Sequence, residues 1–249
     1  MNPLLRAEAR KIFSTRSTLA VAGFVILYPA LSLLPAVLAP EEPEVDAGTI
    51  LQVLRGSAEV LTLAALLLGV LAVAGGEHRH GTIVPSLLVS PRRGRFVAAK
   101  LGTQAAFAVM LASAVSAVAL VVGTSYLARR DVSVDILSND VLMTVAATPV
   151  VAGLYAIIGT AVGAVVKSQT AAVAGALMWV FAVENVIPLV LRNPGLRRWL
   201  AGGLSDRLLQ VSDPVPDMGS PWLAPATLTA VAAALAGAAV VSTKTADVN

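Results

Sequence analysis

The chain has 249 residues, of which 57% are hydrophobic and only 13% are charged, and its mean hydropathy is +0.80. A soluble domain carries about twice that charged fraction, so the composition excludes an ordinary soluble domain and predicts an integral membrane protein. There is no cysteine, which excludes disulfide bonds, thiol chemistry and cysteine-ligated metal sites. The net charge is +3, but the basic residues cluster at the ends of apolar runs, which favours orientation in a bilayer over nucleic-acid binding.

The first predicted element is an N-terminal helix at residues 1–17. Its apolar and basic residues fall on different helical faces. The apolar face holds Leu5, Ala9, Ile12 and Phe13, and the other faces hold Arg6, Arg10, Lys11 and Arg16. This pattern predicts an amphipathic helix that lies on the inner membrane surface. The alternative is a basic tail that only fixes the orientation of the chain.

Six apolar runs predict six transmembrane helices and an all-α fold with a single membrane domain. The predicted spans are residues 18–39, 55–74, 101–126, 141–166, 171–191 and 222–241. The apolar core of the second run is short, so its helix is expected to begin near Ile50. In the fourth run Gly159 and Gly163 form a G-x-x-x-G spacing, which indicates either close packing against another helix or a dimer seam. We expect Lys100, at the start of the third span, to extend toward the inner interface.

Charged residues inside the spans are candidate pathway residues, because charge in a membrane interior is costly. Arg55 and Glu59 are four residues apart in the second span, where they are expected to pair or to line a substrate path. Glu184, followed by Asn185, lies within the fifth span. The alternative for Glu184 is a carboxyl near the outer interface that bonds to a neighbouring helix.

The segment at residues 192–221 is predicted to lie outside, between the last two spans. Its leucines repeat at helical spacing, and Gly202 and Gly203 interrupt the pattern. We therefore expect two short helices in the outer interface. Most lysines and arginines fall at the opposite ends of the spans, so both termini are predicted to lie in the cytoplasm.

A basic hairpin at residues 77–95 separates the second and third spans and is predicted to be cytoplasmic. Its middle reads as a short helix that Thr82 caps and Pro91 terminates. Ile83, Leu87 and Leu88 share one face of this helix.

This hairpin resembles the cytoplasmic hairpin of type-2 ABC transporter permeases. The resemblance is carried by Glu77, Arg79, Gly81, Thr82, Leu87, Leu88, Pro91 and Lys100. It implies that the short helix is a coupling helix, which sits in a groove of a separate ATPase subunit. It also implies that the N-terminal helix lies near that ATPase and that residues 192–221 form a re-entrant hairpin.

The resemblance implies the membrane subunit of an ATP-driven exporter in the bacterial plasma membrane. Two such subunits, expected to be a homodimer, would dock two ATPase subunits that bind the ATP and Mg. No substrate-recognition domain is evident, so the expected substrate is a small amphipathic or lipid-like compound or drug. The alternative is a membrane component without ATP coupling, either a secondary transporter or the anchor of a larger complex.

The sequence offers no catalytic or cofactor motif of its own. It lacks a G-x-x-x-x-G-K-[ST] loop for nucleotide phosphates. His78 and His80 are its two histidines and have no third ligand nearby, which argues against a zinc site. We therefore expect a non-catalytic subunit with no metal and no cofactor.

Overall fold

The computed structural model describes residues 3–38, 46–78, 93–166, 168–209 and 222–245, and these ranges contain helices and no strands. The α-helices are α1 (Pro3–Ser14), α2 (Arg16–Leu38), α3 (Thr49–Val70), α4 (Arg93–Ala128), α5 (Asn139–Val166), α6 (Gln169–Met178), α7 (Ile187–Val190), α8 (Ala201–Leu208) and α9 (Leu223–Thr245). Two π-helical segments, π1 (Leu71–His78) and π2 (Trp179–Val186), continue α3 and α6, and a 3-10 helix covers Pro194–Trp199.

Among the described residues, six helices are long and apolar enough to cross a membrane, which confirms the predicted number of spans. They are Arg16–Leu38, Thr49–Ala74, Gly94–Ala128, Asn139–Val166, Gln169–Val190 and Leu223–Thr243. Some extend well past the apolar runs; the third begins at Gly94 rather than at residue 101. Helical hydrogen bonding continues into polar flanking residues, whereas hydropathy marks only the apolar part. The chain is a multi-pass membrane protein.

The second span is the centre of the bundle. In the most apolar 18 residues of this span 67% are buried, whereas in those of the first span 22% are buried. It packs on α5 at backbone distance: a Cβ added at Gly163 would lie 2.7 Å from the Val70 carbonyl oxygen, and one at Gly159 would collide with the Leu66 carbonyl. The G-x-x-x-G spacing therefore packs two helices of the same chain together.

Helix α1 packs against α4 and α2 through a face that differs from the predicted one. Ile12 is buried as expected, but Phe13 is 53% exposed and makes an edge-on contact with Phe107. Glu8, an acidic residue that the apolar pattern did not include, is buried on this face. The helix is held by a polar contact as well as by apolar ones.

The predicted coupling helix lies outside the described residues, as do Arg79, Gly81, Thr82, Ile83, Leu87, Leu88 and Pro91. Glu77 is described only for its backbone, which lies in the last turn of π1. The described residues stop at His78, the end of π1, and resume at Arg93, where α4 begins.

Between the last two spans, residues 194–208 form the two short helices predicted there, but the break between them is elsewhere. Leu200 is the extended residue that separates the 3-10 helix from α8. Gly202 and Gly203 instead lie in the first turn of α8, where a Cβ on Gly203 would collide with the Arg197 carbonyl. The glycines allow close packing and do not end a helix.

Candidate functional site

The N-terminus of α8 is held by the buried carboxylate of Glu184. Leu200 occupies the N-cap position and offers no side-chain acceptor for the free N–H groups of the first turn. The Glu184 carboxylate accepts a hydrogen bond from the Gly202 N–H and another from Trp179 Nε1 at 2.7 Å. A Cβ on residue 202 would collide with this carboxylate, so a side chain there would displace it. Glu184 thus acts as an N-cap supplied by another helix.

The C-terminus of α8 is held by a positive charge from the second span. Arg55 Nε donates to the Leu209 carbonyl at 3.3 Å, and Thr144 Oγ1 of α5 lies 3.5 Å from the same oxygen. A carboxylate at the N-terminus and a guanidinium at the C-terminus both complement the helix dipole. The predicted Arg55–Glu59 ion pair does not form, because Arg55 is directed to α8 instead.

The middle of α8 is held by the fourth span. Leu204 and Ser205 are buried, and the Ser205 hydroxyl bonds to the Gly202 carbonyl at 2.7 Å. The same hydroxyl lies 3.4 Å from the Tyr155 hydroxyl of α5. Three spans therefore position this one short helix through polar groups.

An ion pair joins the 3-10 helix to α8, and its two charges act on Glu59. Arg197 of the 3-10 helix pairs with Asp206 of α8 at 2.7 Å. Burial raises the pKa of the Asp206 carboxyl, and Arg197 offsets only part of that effect. The charges of Asp206 and Arg197 both act on Glu59, whose side chain is exposed on the second span. Charged groups of both signs thus meet at one surface of the bundle.

Asn185, predicted together with Glu184, does not join this group. It is exposed, and its Nδ2 donates to the Val180 carbonyl of its own helix at 2.7 Å. The bond spans five residues and stays within π2. The structure brings Glu184, Arg55 and Glu59 toward α8 and leaves Asn185 aside.

A second polar cluster lies at the other end of the bundle, near the hairpin. Lys100 is 4% exposed, and its Nζ lies 2.7 Å from Glu8 Oε2 and 3.4 Å from the Ala72 carbonyl of π1. The expectation that Lys100 extends toward the interface is wrong, because the ammonium finds buried acceptors. Lys11 pairs with the other Glu8 oxygen at 2.7 Å. Burial raises the pKa of the Glu8 carboxyl, but the two lysines together outweigh burial and hold that pKa below its ordinary value.

Sequence reasoning did not single out Glu8, Tyr155 or Asp206. For Glu8 there was a signal, since it is the one acidic residue among the first seventeen. Its partner Lys100 is 92 residues away in the chain, so the pairing itself depends on the fold. Tyr155 lies in an apolar run whose pattern does not indicate which neighbour its hydroxyl meets.

No protein-family model and no curated protein sequence matches this chain. Its function therefore has to be argued from the hairpin motif and from the arrangement of charges among the spans. Chemically, the groups around α8 fix a helix in place, and the cluster at Lys100 joins α1, π1 and α4. Both arrangements position helices relative to one another.

Proposed function

We propose that the chain is the membrane-spanning permease subunit of an ATP-driven exporter that works with a separate ATPase. The observation that carries this proposal is the hairpin motif, from Glu77 to Pro91, between the second and third of six spans. Only residues 79–92 separate π1 from α4. A segment of that length holds a short helix but no independent domain, so its leucines need a partner surface.

In this proposal the ATPase acts on the bundle through the hairpin. Both flanking helices contribute to the Lys100 cluster, π1 through the Ala72 carbonyl and α4 through Lys100, and the cluster also holds α1 through Glu8. A displacement of the hairpin would therefore reach α1, α3 and α4 together. The glycine contacts between α3 and α5 would transmit the displacement to α5, because helices packed at backbone distance move as one body.

The remaining parts of the assembly belong to the same proposal. Two copies of this chain form a homodimer in a bacterial plasma membrane, with the hairpin and both termini in the cytoplasm. Two ATPase subunits bind ATP and Mg, and this chain performs no catalysis. The substrate is a small amphipathic or lipid-like compound or drug. Glu184 and Arg55 act as positioning residues for α8, which forms part of a re-entrant segment.

The proposal is tested by the double substitution Leu87→Asp and Leu88→Asp. Two charges on the apolar face should abolish association with the ATPase and substrate-stimulated hydrolysis, because that face could no longer enter an apolar groove. The matched control is Leu137→Asp, an exposed leucine in the loop between α4 and α5. A monodisperse double variant that binds the ATPase and transports as the unaltered chain does would refute the proposal.

A secondary transporter is the second candidate, and the buried Glu184 favours it. A carboxyl within a membrane span is typical of proton-coupled carriers. Reconstituted vesicles distinguish the two candidates. Uptake that requires a proton gradient and no ATP would support the carrier, whereas uptake that requires the ATPase and ATP supports the permease.

A further inference from the structure

One stripe of the second span is open, and it is polar. It consists of Gln52, Arg55, Gly56 and Glu59, which share one face of α3 because Arg55 and Gly56 lie three or four residues from both Gln52 and Glu59. Gln52 and Glu59 are exposed and the other two are half-buried, although α3 is the central helix of the bundle. Glu59 lies ten residues after Thr49, which is about 15 Å along a helix. That is near the middle of a hydrocarbon layer about 30 Å thick.

The open faces of other spans have the opposite character. On α2 the exposed large side chains include Phe24, Leu27 and Leu31, and on π2 they include Trp179 and Phe181. Such faces suit lipid. A carboxylate at the depth of Glu59 is not suited to contact with lipid, since charges in the membrane interior face protein or water. The polar stripe of α3 is therefore a covered surface in the membrane.

Charge argues against cover by the undescribed parts of the chain on this side of the bundle. Residues 210–221, which follow Leu209, contain Asp213 and Asp217 and no lysine or arginine. Residues 39–45 contain three glutamates and no basic residue. Neither segment could neutralise Glu59.

A second copy of the chain does provide the complementary charge. The Arg197 side chain is 52% exposed and pairs through one of its nitrogens with Asp206, which lies one turn before Leu209, the residue whose carbonyl Arg55 of the stripe contacts. A guanidinium has five N–H donors and can bind a second carboxylate. A two-fold interface places the same surface on both partners, so a surface with one exposed acid and one exposed base complements itself.

We infer that two copies of this chain meet across the polar stripe of α3, with Glu59 of each copy paired with Arg197 of the other. This rests on the proposed function for the existence of a dimer and adds the surface that forms it. Arg197 then bridges two carboxylates, Asp206 within its own chain and Glu59 across the interface. The pairing also satisfies the charge that α3 would otherwise expose to lipid.

Single cysteines test the interface directly, because the chain has none of its own. One tagged copy carries Glu59→Cys and a differently tagged copy carries Arg197→Cys; both are reconstituted in lipid nanodiscs and treated with a short bifunctional thiol reagent, because two side chains as long as glutamate and arginine can pair with their Cα atoms too far apart for a direct disulfide. We expect a cross-link that joins the two tags, at least about tenfold more abundant than with Leu27→Cys in place of Glu59→Cys. Leu27 is exposed on α2 and serves as the lipid-facing control. Equal cross-linking of the Glu59→Cys and Leu27→Cys samples, both monodisperse, would overturn the inference. Ready labelling of Glu59→Cys by a membrane-impermeant thiol reagent would also overturn it, because such labelling indicates a water-filled path.

Charge reversal provides the second measurement. One copy carries Glu59→Arg and the other Arg197→Glu, so within each copy positions 59 and 197 have like charges. In the mixed dimer both contacts between copies join opposite charges. A close interfacial charge pair changes affinity by roughly tenfold or more, so we expect the mixed dimer to exceed either pure dimer by at least about tenfold. Equal amounts of the three dimers would overturn the inference.

Neither measurement needs ATP or an ATPase, which separates this inference from the proposed function. A chain that cross-links across the stripe but binds no ATPase would refute the permease proposal and retain the interface. A chain that drives ATP-dependent export without the cross-link would retain the permease and refute the interface.

Discussion

Glu184→Gln tests whether the buried carboxylate holds α8 in place. Glutamine has nearly the shape of glutamate and fills the same space. It has one acceptor oxygen, however, and its other terminal atom is an NH2 donor. The native carboxylate accepts from two donors, the Trp179 Nε1–H and the Gly202 N–H. After the substitution, one of these donors faces the NH2 group and has no acceptor.

The expected cost follows from these contacts. A buried donor that loses its acceptor costs about 1–3 kcal/mol. Loss of the negative charge at the N-terminus of α8 costs a further 0.3–1 kcal/mol or so. We therefore expect the attachment of α8 to weaken by about 2 kcal/mol, which corresponds to a roughly 30-fold larger population with α8 detached.

Ser205→Cys provides the assay, because Ser205 is buried in α8 and serine and cysteine are similar in size. In the Ser205→Cys background, Glu184→Gln should raise the rate of labelling by a thiol reagent by about 30-fold. The control reporter is Ser57→Cys, buried in α3, whose labelling rate should not change. An unchanged rate at residue 205, or an equal rise at both reporters, would refute the conclusion that Glu184 anchors α8 locally.

Two further predictions concern the packing of α3 and the cluster at the hairpin end. Gly159→Ala should lower the free energy of unfolding by about 1–3 kcal/mol, because its Cβ would meet the Leu66 backbone. The control is Gly23→Ala, which should be neutral or slightly stabilising because nothing lies near its Cβ. Thermal unfolding compares the two variants, and equal stability would contradict the packing of α3 on α5. The pKa of Glu8 is lowered in the folded chain, so the stability from its pair with Lys100 is present above the ordinary carboxyl pKa and is lost as the pH falls through the folded value. Unfolding measured between neutral and acid pH should show this loss in the unaltered chain and not in Glu8→Gln. That variant should be less stable at neutral pH by roughly 1.5–3 kcal/mol, because Lys100 loses the charged hydrogen-bond acceptor that Glu8 supplies. Identical pH profiles would show that the pair contributes nothing.

Some of the local structure could be predicted because it depends on residues close in the chain. An apolar run of about twenty residues must form a helix in a bilayer, since its backbone has no other hydrogen-bond partner there. The two short helices at residues 194–208 followed from the spacing of their leucines. The unusual position of Glu184 was visible for the same reason, because a single acid interrupts an apolar run.

The partners of these residues were decided by the tertiary structure. Arg55 was expected to pair with Glu59 four residues away, yet it bonds to Leu209, 154 residues along the chain. Lys100 was expected to reach the interface, yet it is buried against Glu8. In each case a local rule described what the side chain can reach along its own helix. In a low-dielectric interior a hydrogen bond to any nearby acceptor is stronger than in water. Which acceptor lies near each of these side chains depends on how helices distant in sequence pack together.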